Sequence, residues 1–161
     1  MNKEIEKYIN DEVEKFRNEL TRKIDTMLEK ENKPKTVWDL KDEDTYYAIY
    51  PRDIECYTFN GDDFDNSIRN MGNMFLTREE AEFELERRKI EAVMRKYSRP
   101  FEEEKNNYFI YYDHCTKVIL TSCWRNCDFG VYYFKTKEIA QKVINEIGED
   151  RLKKYWFKVV D

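Results

Sequence analysis

Phe75-Leu76-Thr77-Arg78-Glu79-Glu80-Ala81-Glu82 returns 59 residues later as Phe134-Lys135-Thr136-Lys137-Glu138-Ile139-Ala140-Gln141. Each copy puts an aromatic residue two positions before a threonine and then starts an alanine-containing helical pattern. A threonine there serves as a helix N-cap, its hydroxyl accepting an otherwise free backbone N–H. Glu80, three residues after Thr77, adds the capping-box signature. Upstream, Thr45-Tyr46-Tyr47-Ala48-Ile49-Tyr50 matches Asn107-Tyr108-Phe109-Ile110-Tyr111-Tyr112 at an offset of 62. Trp38 and Phe101 head the two copies. The chain therefore contains an internal duplication, with repeats of about 36–99 and 100–161.

Each repeat reads as strand, turn, strand, loop, short strand, helix. In the first, strands are expected near 45–50, 54–59 and 73–76. Pro51-Arg52-Asp53 makes the turn, and Asn60-Gly61-Asp62-Asp63 opens a polar loop. In the second they are expected near 107–112, 117–124 and 130–135. The first repeat's helix runs to about Tyr97, before Pro100. The second repeat's helix meets Gly148, a natural residue for its C-terminal end. Arg151–Trp156 reads as a last helical turn, and Phe157-Lys158-Val159-Val160 as an extended tail. Two ββ(β)α units predict an α+β domain over 36–161, an antiparallel sheet with both helices on one face. The other face is left partly wet, and the 12 tyrosines are numerous enough to populate it.

Residues 1–32 precede this domain and predict one long amphipathic helix. Apolar residues fall at Ile5, Ile9, Val13, Phe16, Leu20, Ile24 and Met27, an eleven-residue spacing. Such a stripe runs almost straight along a helix, or drifts slightly to the right. Charged and amide side chains fill the remaining positions, and Pro34 ends the helix. So narrow a seam packs within the chain, against a second copy in a homodimer, or on a partner.

The 161 residues carry 29 basic and 34 acidic side chains, a net charge of −5. That total conceals a local excess. Between Asp39 and Asp65 stand Asp39, Asp42, Glu43, Asp44, Asp53, Glu55, Asp62, Asp63 and Asp65, against Lys41 and Arg52 alone. This segment repels nucleic-acid phosphates and is drawn to basic grooves. It is expected to dock on a nucleic-acid-binding protein, with Tyr46 and Tyr50 beside the acids as contact residues. No direct nucleic-acid binding is expected.

No Gly-rich phosphate loop, GxSxG elbow or HExxH helix occurs, and one histidine leaves little room for acid–base catalysis. The protein is expected to be no enzyme and to need no cofactor. Asp62-Asp63-Phe64-Asp65-Asn66 lacks the glycine and distal glutamate of a calcium loop and reads as a solvated acidic loop. A zinc site is the alternative to weigh. His114, Cys115, Cys123 and Cys127 form a superficial ligand set, with Cys56 elsewhere. However, a strand between Cys115 and Cys127 would hold them far apart, and neither half is a CxxC loop. Inert thiols fit better. With no long apolar run, no membrane span is expected, and the charged N-terminus suggests a cytoplasmic protein.

Two blocks carry a resemblance. Gly72-Asn73-Met74-Phe75-Leu76-Thr77-Arg78-Glu79-Glu80-Ala81-Glu82, with Glu84-Leu85-Glu86-Arg87-Arg88-Lys89-Ile90, resembles a module of pattern GNxFxTxEEAExxLERxKV. Tyr133–Gln141, leading into Ile147-Gly148-Glu149-Asp150-Arg151-Leu152-Lys153-Lys154-Tyr155-Trp156-Phe157, resembles its YFKSxExAQ…IGExRLKKYYF ending. The module recurs in small accessory proteins of phages and mobile elements of Gram-positive bacteria, and the likeness spans about 36–157. The cysteines lie outside the pattern. The resemblance implies a phage or prophage protein that inhibits a host defence effector, as anti-CRISPR proteins inhibit Cas nucleases. Alternatives are an oligomeric adaptor, a zinc-stabilised module, and a nucleotide sponge lined by Arg87, Arg88, Arg95 or Lys96.

Overall fold

In the computed structural model, backbone is described for residues 3–32 and 36–159, and side chains for 7–24 and 36–159. The chain divides into two compact units, Met1–Leu40 and Lys41–Asp161. The boundary therefore lies a few residues beyond the expected one and assigns Trp38 and Asp39 to the first unit.

That unit holds α1 (Lys3–Asn32) and a 3₁₀ turn (Val37–Asp39). Asp39 closes the turn, its carboxylate accepting from the backbone N–H (3.0 Å) and hydroxyl (2.8 Å) of Thr36. Along α1, Ile9, Val13, Phe16, Leu20 and Ile24 are all exposed. Side chains of Ile5 and Met27, and residues 33–35 with Pro34, lie outside the described part.

The second unit follows the duplication. β1 (Thr45–Ile49), β2 (Ile54–Thr58) and β3 (Met74–Phe75) form one antiparallel sheet in the order β2-β1-β3. β4 (Asn107–Asp113) and β5 (Val118–Trp124) form a second. The α+β class is as expected, with the strands divided into two sheets, one per repeat. The expected strand at 130–135 is reduced to bridges. Tyr108 and Phe134 exchange both backbone hydrogen bonds (3.1 and 2.7 Å), and the Arg99 N–H donates to the Tyr133 carbonyl (2.8 Å).

The two threonines cap α3 (Arg78–Tyr97) and α4 (Lys137–Ile147), accepting from Glu80 N–H (3.2 Å) and Ile139 N–H (3.3 Å). Glu80 reaches back one residue further than a capping box requires, to the N–H of Leu76 (3.0 Å). Gly148 takes φ +90°, a conformation L side chains rarely adopt, and ends α4. The chain continues through α5 (Glu149–Arg151) and a π-helical turn, Leu152–Trp156. The expected extended tail instead folds back. Lys158 is left-handed (φ +52°), and Val159 N–H donates to the Lys153 carbonyl (2.9 Å).

One further helix stands where the sequence suggests a solvated acidic loop: α2 (Asp63–Asn70), N-capped by Asp62, whose carboxylate accepts from Asp65 N–H at 2.8 Å. Asp and Asn are weak helix formers in mid-helix and strong ones at caps, so an eight-residue helix opening Asp-Asp looks like turn chemistry.

α3 belongs to both repeats. Its buried Ala81 lies in the first turn, where the helix packs on β1 and β3. Its buried Ile90 and Met94 enter the main apolar core with Ile119, Phe134, Val143, Ile144, Ile147 and Leu152. The loop between the repeats is pinned by fully buried Asn107. Its amide donates to the carbonyls of Glu102 (2.9 Å) and Lys105 (3.0 Å); its oxygen accepts from Arg99 (2.9 Å) and Glu102 N–H (3.1 Å). Asn107→Ala leaves several of these groups unpaired and should cost about 2–4 kcal/mol in denaturant unfolding. Asn107→Asp, which keeps the acceptor but not the donor, should recover part of that loss.

Candidate protein-contact surfaces

Chain direction separates the nine acids that the sequence puts together. β1 and β2 pair from Thr45–Thr58 to Ile49–Ile54. The pairing extends past the strands: Glu43 N–H donates to the Phe59 carbonyl (3.0 Å), and Phe59 N–H to the Asp44 carbonyl (2.7 Å). Asp42, Glu43 and Asp44 therefore stand at the open end of the hairpin, where Asn60 leads into Asp62 and Asp63. Five acids and Lys41 lie at this end, together with buried Asp65, bonded to Asn60 and Gly61 N–H, and Arg69, whose guanidinium stands 5.4 Å over the Phe59 ring. Asp42, Glu43, Asp62 and Asp63 are exposed, and Asp44 is half-buried, accepting from Lys41 N–H at 2.8 Å.

The remaining acids lie elsewhere. Asp53 is in the turn at the other end, a strand length of roughly 17 Å away, and pairs with Arg78 at 3.4 Å. Glu55 is mid-strand and accepts from the Tyr57 hydroxyl at 2.6 Å. Asp39 belongs to the first unit.

Asp65 is only 3% exposed and Tyr46 fully buried, so neither offers contact surface. Together they form an internal linkage: the Tyr46 hydroxyl donates to Asp65 at 2.7 Å. The other Asp65 oxygen accepts from Asn60 N–H (2.7 Å) and Gly61 N–H (3.0 Å). Burial opposes the Asp65 charge, but these donors outweigh it and hold its carboxyl below the usual range. Burial, reinforced by Asp65, pushes the Tyr46 phenol up. Tyr50 and Tyr57 remain half-buried, with ring centroids 6.0 Å apart, and Tyr57 lies 5.8 Å from exposed Phe64. Tyr50 follows β1 at the turn end, its N–H donating to the Asp53 carbonyl (2.9 Å), so of these rings Tyr57 and Phe64 lie toward the acidic end.

A second surface is the outer face of β4–β5. Tyr108, Ile110, Tyr112 and Ile119 turn inward to the core. Strand alternation sends Phe109 and Tyr111 outward, opposite Ser122 and Leu120. Phe109 lies 5.8 Å from Tyr111 and 6.0 Å edge-on to Trp124. Val118, Leu120 and Trp124 are exposed there. An aromatic outer face thus stands on the second repeat, where the sequence suggests candidate metal ligands but no partner-contact residue. The alternation of Phe109 and Tyr111 was its signal.

All four cysteines are exposed free thiols. Cys56 sits on β2, opposite Tyr47. Cys115 lies in the turn before β5, Cys123 near the far end of that strand, and Cys127 beyond it. His114 packs edge-on to Tyr112 at 5.0 Å, in a turn organised by Asp113, which accepts from Cys115 N–H (3.0 Å) and the Thr116 hydroxyl (2.6 Å). Among the described residues, no three His, Cys, Asp or Glu side chains are grouped to hold a metal ion.

The cations proposed to line a nucleotide cleft are engaged. Arg87 binds Glu84 (2.7 Å) and Glu91 (3.3 Å), and Arg88 binds Glu84 (3.1 Å). Arg95 pairs with Glu91, and Lys96 with Glu146 (3.0 Å). The Tyr132 hydroxyl donates to Glu91 at 2.7 Å and, with the two arginines, keeps that carboxyl below its ordinary value. The row stabilises α3 against the C-terminal segment, with the Arg87 guanidinium 5.8 Å over the Trp156 ring.

No protein-family model matches the chain, and neither a curated protein nor a solved structure matches it. No helix among the described residues is long and apolar enough to cross a membrane.

Proposed function

We propose that this chain is a non-enzymatic accessory protein of phage or prophage origin that binds and inhibits a nucleic-acid-binding host defence effector, in the manner of an anti-CRISPR protein acting on a Cas nuclease. It works in the host cytoplasm and needs no cofactor. The observation that carries the reading is the acidic end of the first sheet: Asp42, Glu43, Asp44, Asp62 and Asp63, outnumbering the bases beside them, Lys41 and Arg69. A rigid cluster of carboxylates resembles a short phosphate run to a basic groove, and it steers approach over about a Debye length. Tyr57 and Phe64 supply neighbouring contact area with little entropy to lose on binding, and Tyr50, further along the hairpin, packs on Tyr57.

Asp42→Lys with Glu43→Lys reverses two exposed charges while leaving the Asp62 cap and the Asp65 linkage intact. Association with a Cas effector, followed by surface plasmon resonance at low salt, should slow on the order of tenfold, and its salt dependence should flatten. Unchanged rates would move the contact away from this end. Absence of micromolar binding to any of a panel of Cas effectors would remove the effector assignment.

A further inference from the structure

The apolar seam of α1 has a spacing that reads the same in both directions. From Ile5 to Ile24 the steps are 4, 4, 3, 4, 4. Turning the helix end over end about a point between Glu14 and Lys15 lays Ile9 over Leu20 and Val13 over Phe16. By sequence position, it also lays Ile5 over Ile24. The charges divide unequally between the two halves. Residues 3–14 carry Lys3 and Lys7 against Glu4, Glu6, Asp11, Glu12 and Glu14, a net −3; residues 15–26 carry Lys15, Arg17, Arg22 and Lys23 against Glu19 and Asp25, a net +2.

We infer that α1 is a self-association helix whose occupant is α1 of a second copy, packed antiparallel about the Glu14–Lys15 midpoint. Reversal superposes apolar on apolar in the seam; by sequence position it lays Glu6 on Lys23, Glu12 on Arg17 and Glu14 on Lys15, which outnumber the like-charge positions Glu4–Asp25 and Lys7–Arg22, and it sets the net −3 half against the net +2 half. A parallel in-register pair would match the seam equally well but would set the acidic halves side by side. Antiparallel packing also opposes the two helix dipoles. The eleven-residue period keeps the seam on one face of nearly straight helices, the geometry two such helices need to stay in contact over their length. The pressure to pair is physical: Ile9, Val13, Phe16, Leu20 and Ile24 are exposed, and an isolated polar helix gains little from propensity alone. Its own ion pairs, Lys15–Glu12 and Lys23–Glu19 (both 2.8 Å), are exposed and weak. This inference does not depend on the effector reading.

Sedimentation equilibrium on the full chain should give twice the chain mass at micromolar concentration. Val13→Glu with Phe16→Glu should return it to the monomer, with the far-ultraviolet signal of the second unit retained. Arg17→Glu with Lys23→Glu leaves the seam apolar and should weaken the dimer more at low salt than at high. Orientation is read by spin labels in a background with the four cysteines changed to serine. Labels at Lys15→Cys should lie close together. Labels at Lys23→Cys should be separated by about 25 Å along the axis, from a rise of about 1.5 Å per residue. A monomer at 100 μM or above, a dimer that survives the Val13/Phe16 change, or short distances at both labels would each overturn the inference.

Discussion

Phe134→Ala should be the most destabilising single truncation in the second unit, lowering unfolding free energy by about 3–5 kcal/mol and the melting temperature by roughly 10–20 °C. Phe134 is 1% exposed within a core formed by α3, α4, β5 and the C-terminal segment. Its backbone is also the partner of Tyr108, both groups bonded, so the side chain holds the segment that stands in for a third strand. Removing the ring leaves a cavity in the core it shares with Ile90, Val143 and Leu152, all on helical segments that cannot easily collapse into it. Guanidinium unfolding would measure the change. A loss below about 1 kcal/mol would mean that the core repacks, and that the bridge to β4 is held by backbone alone.

The Asp65 linkage should produce the second largest effect, with a distinct pH signature. Asp65→Asn keeps the shape but removes the charge and one acceptor oxygen facing the hydroxyl and amide donors. It should cost about 2–3 kcal/mol at pH 7. The carboxyl of Asp65 is held below its ordinary value in the folded protein. Its contribution is therefore complete above the unfolded value near 4 and is lost as pH falls below it through the folded value. The gap between wild type and Asp65→Asn should narrow in acid, below about pH 4. Tyr46 behaves in the opposite sense. Its phenol is pushed up, so its contribution is present below about pH 10 and fades as alkali approaches the folded value. Tyr46→Phe should lose about 1–2 kcal/mol at pH 7 and abolish that alkaline limb. Chemical unfolding at several pH values tests both, and a pH-independent gap for Asp65→Asn would show that charge at Asp65 is not what stabilises the linkage.

These residues also mark where sequence reading succeeds and where it stops. Thr77 and Thr136 are legible because a cap is local: it needs one hydroxyl and a helix starting next to it. The β1–β2 and β4–β5 hairpins are legible because alternation and turn residues lie within a dozen positions of each other. α2 is not, because its stabilisation comes from the Asp62 cap and from burying Ile68 against the rest of the unit, while Asp63, Asp65 and Asn66 all favour turns. The burial of Asp65 is a tertiary fact. Nothing within ten residues of it announces that Tyr46, nineteen positions earlier, will donate to it. For the same reason a count of acids along the chain could not separate Asp53 at one end of a hairpin from Asp42 at the other.

Because α3 closes the first repeat while supplying Ile90 and Met94 to the core of the second, neither copy can stand as an independent fragment. A gene truncated after Ser98 would encode a polypeptide that displays those two side chains to water, and the complementary piece would lack the wall against which α4 is seated. A single repeat on its own would have to close that gap in some other way, for instance by exchanging the helix between two identical molecules. Expressed together from separate messages, the two halves of the present chain should seek one another and reconstitute the unit.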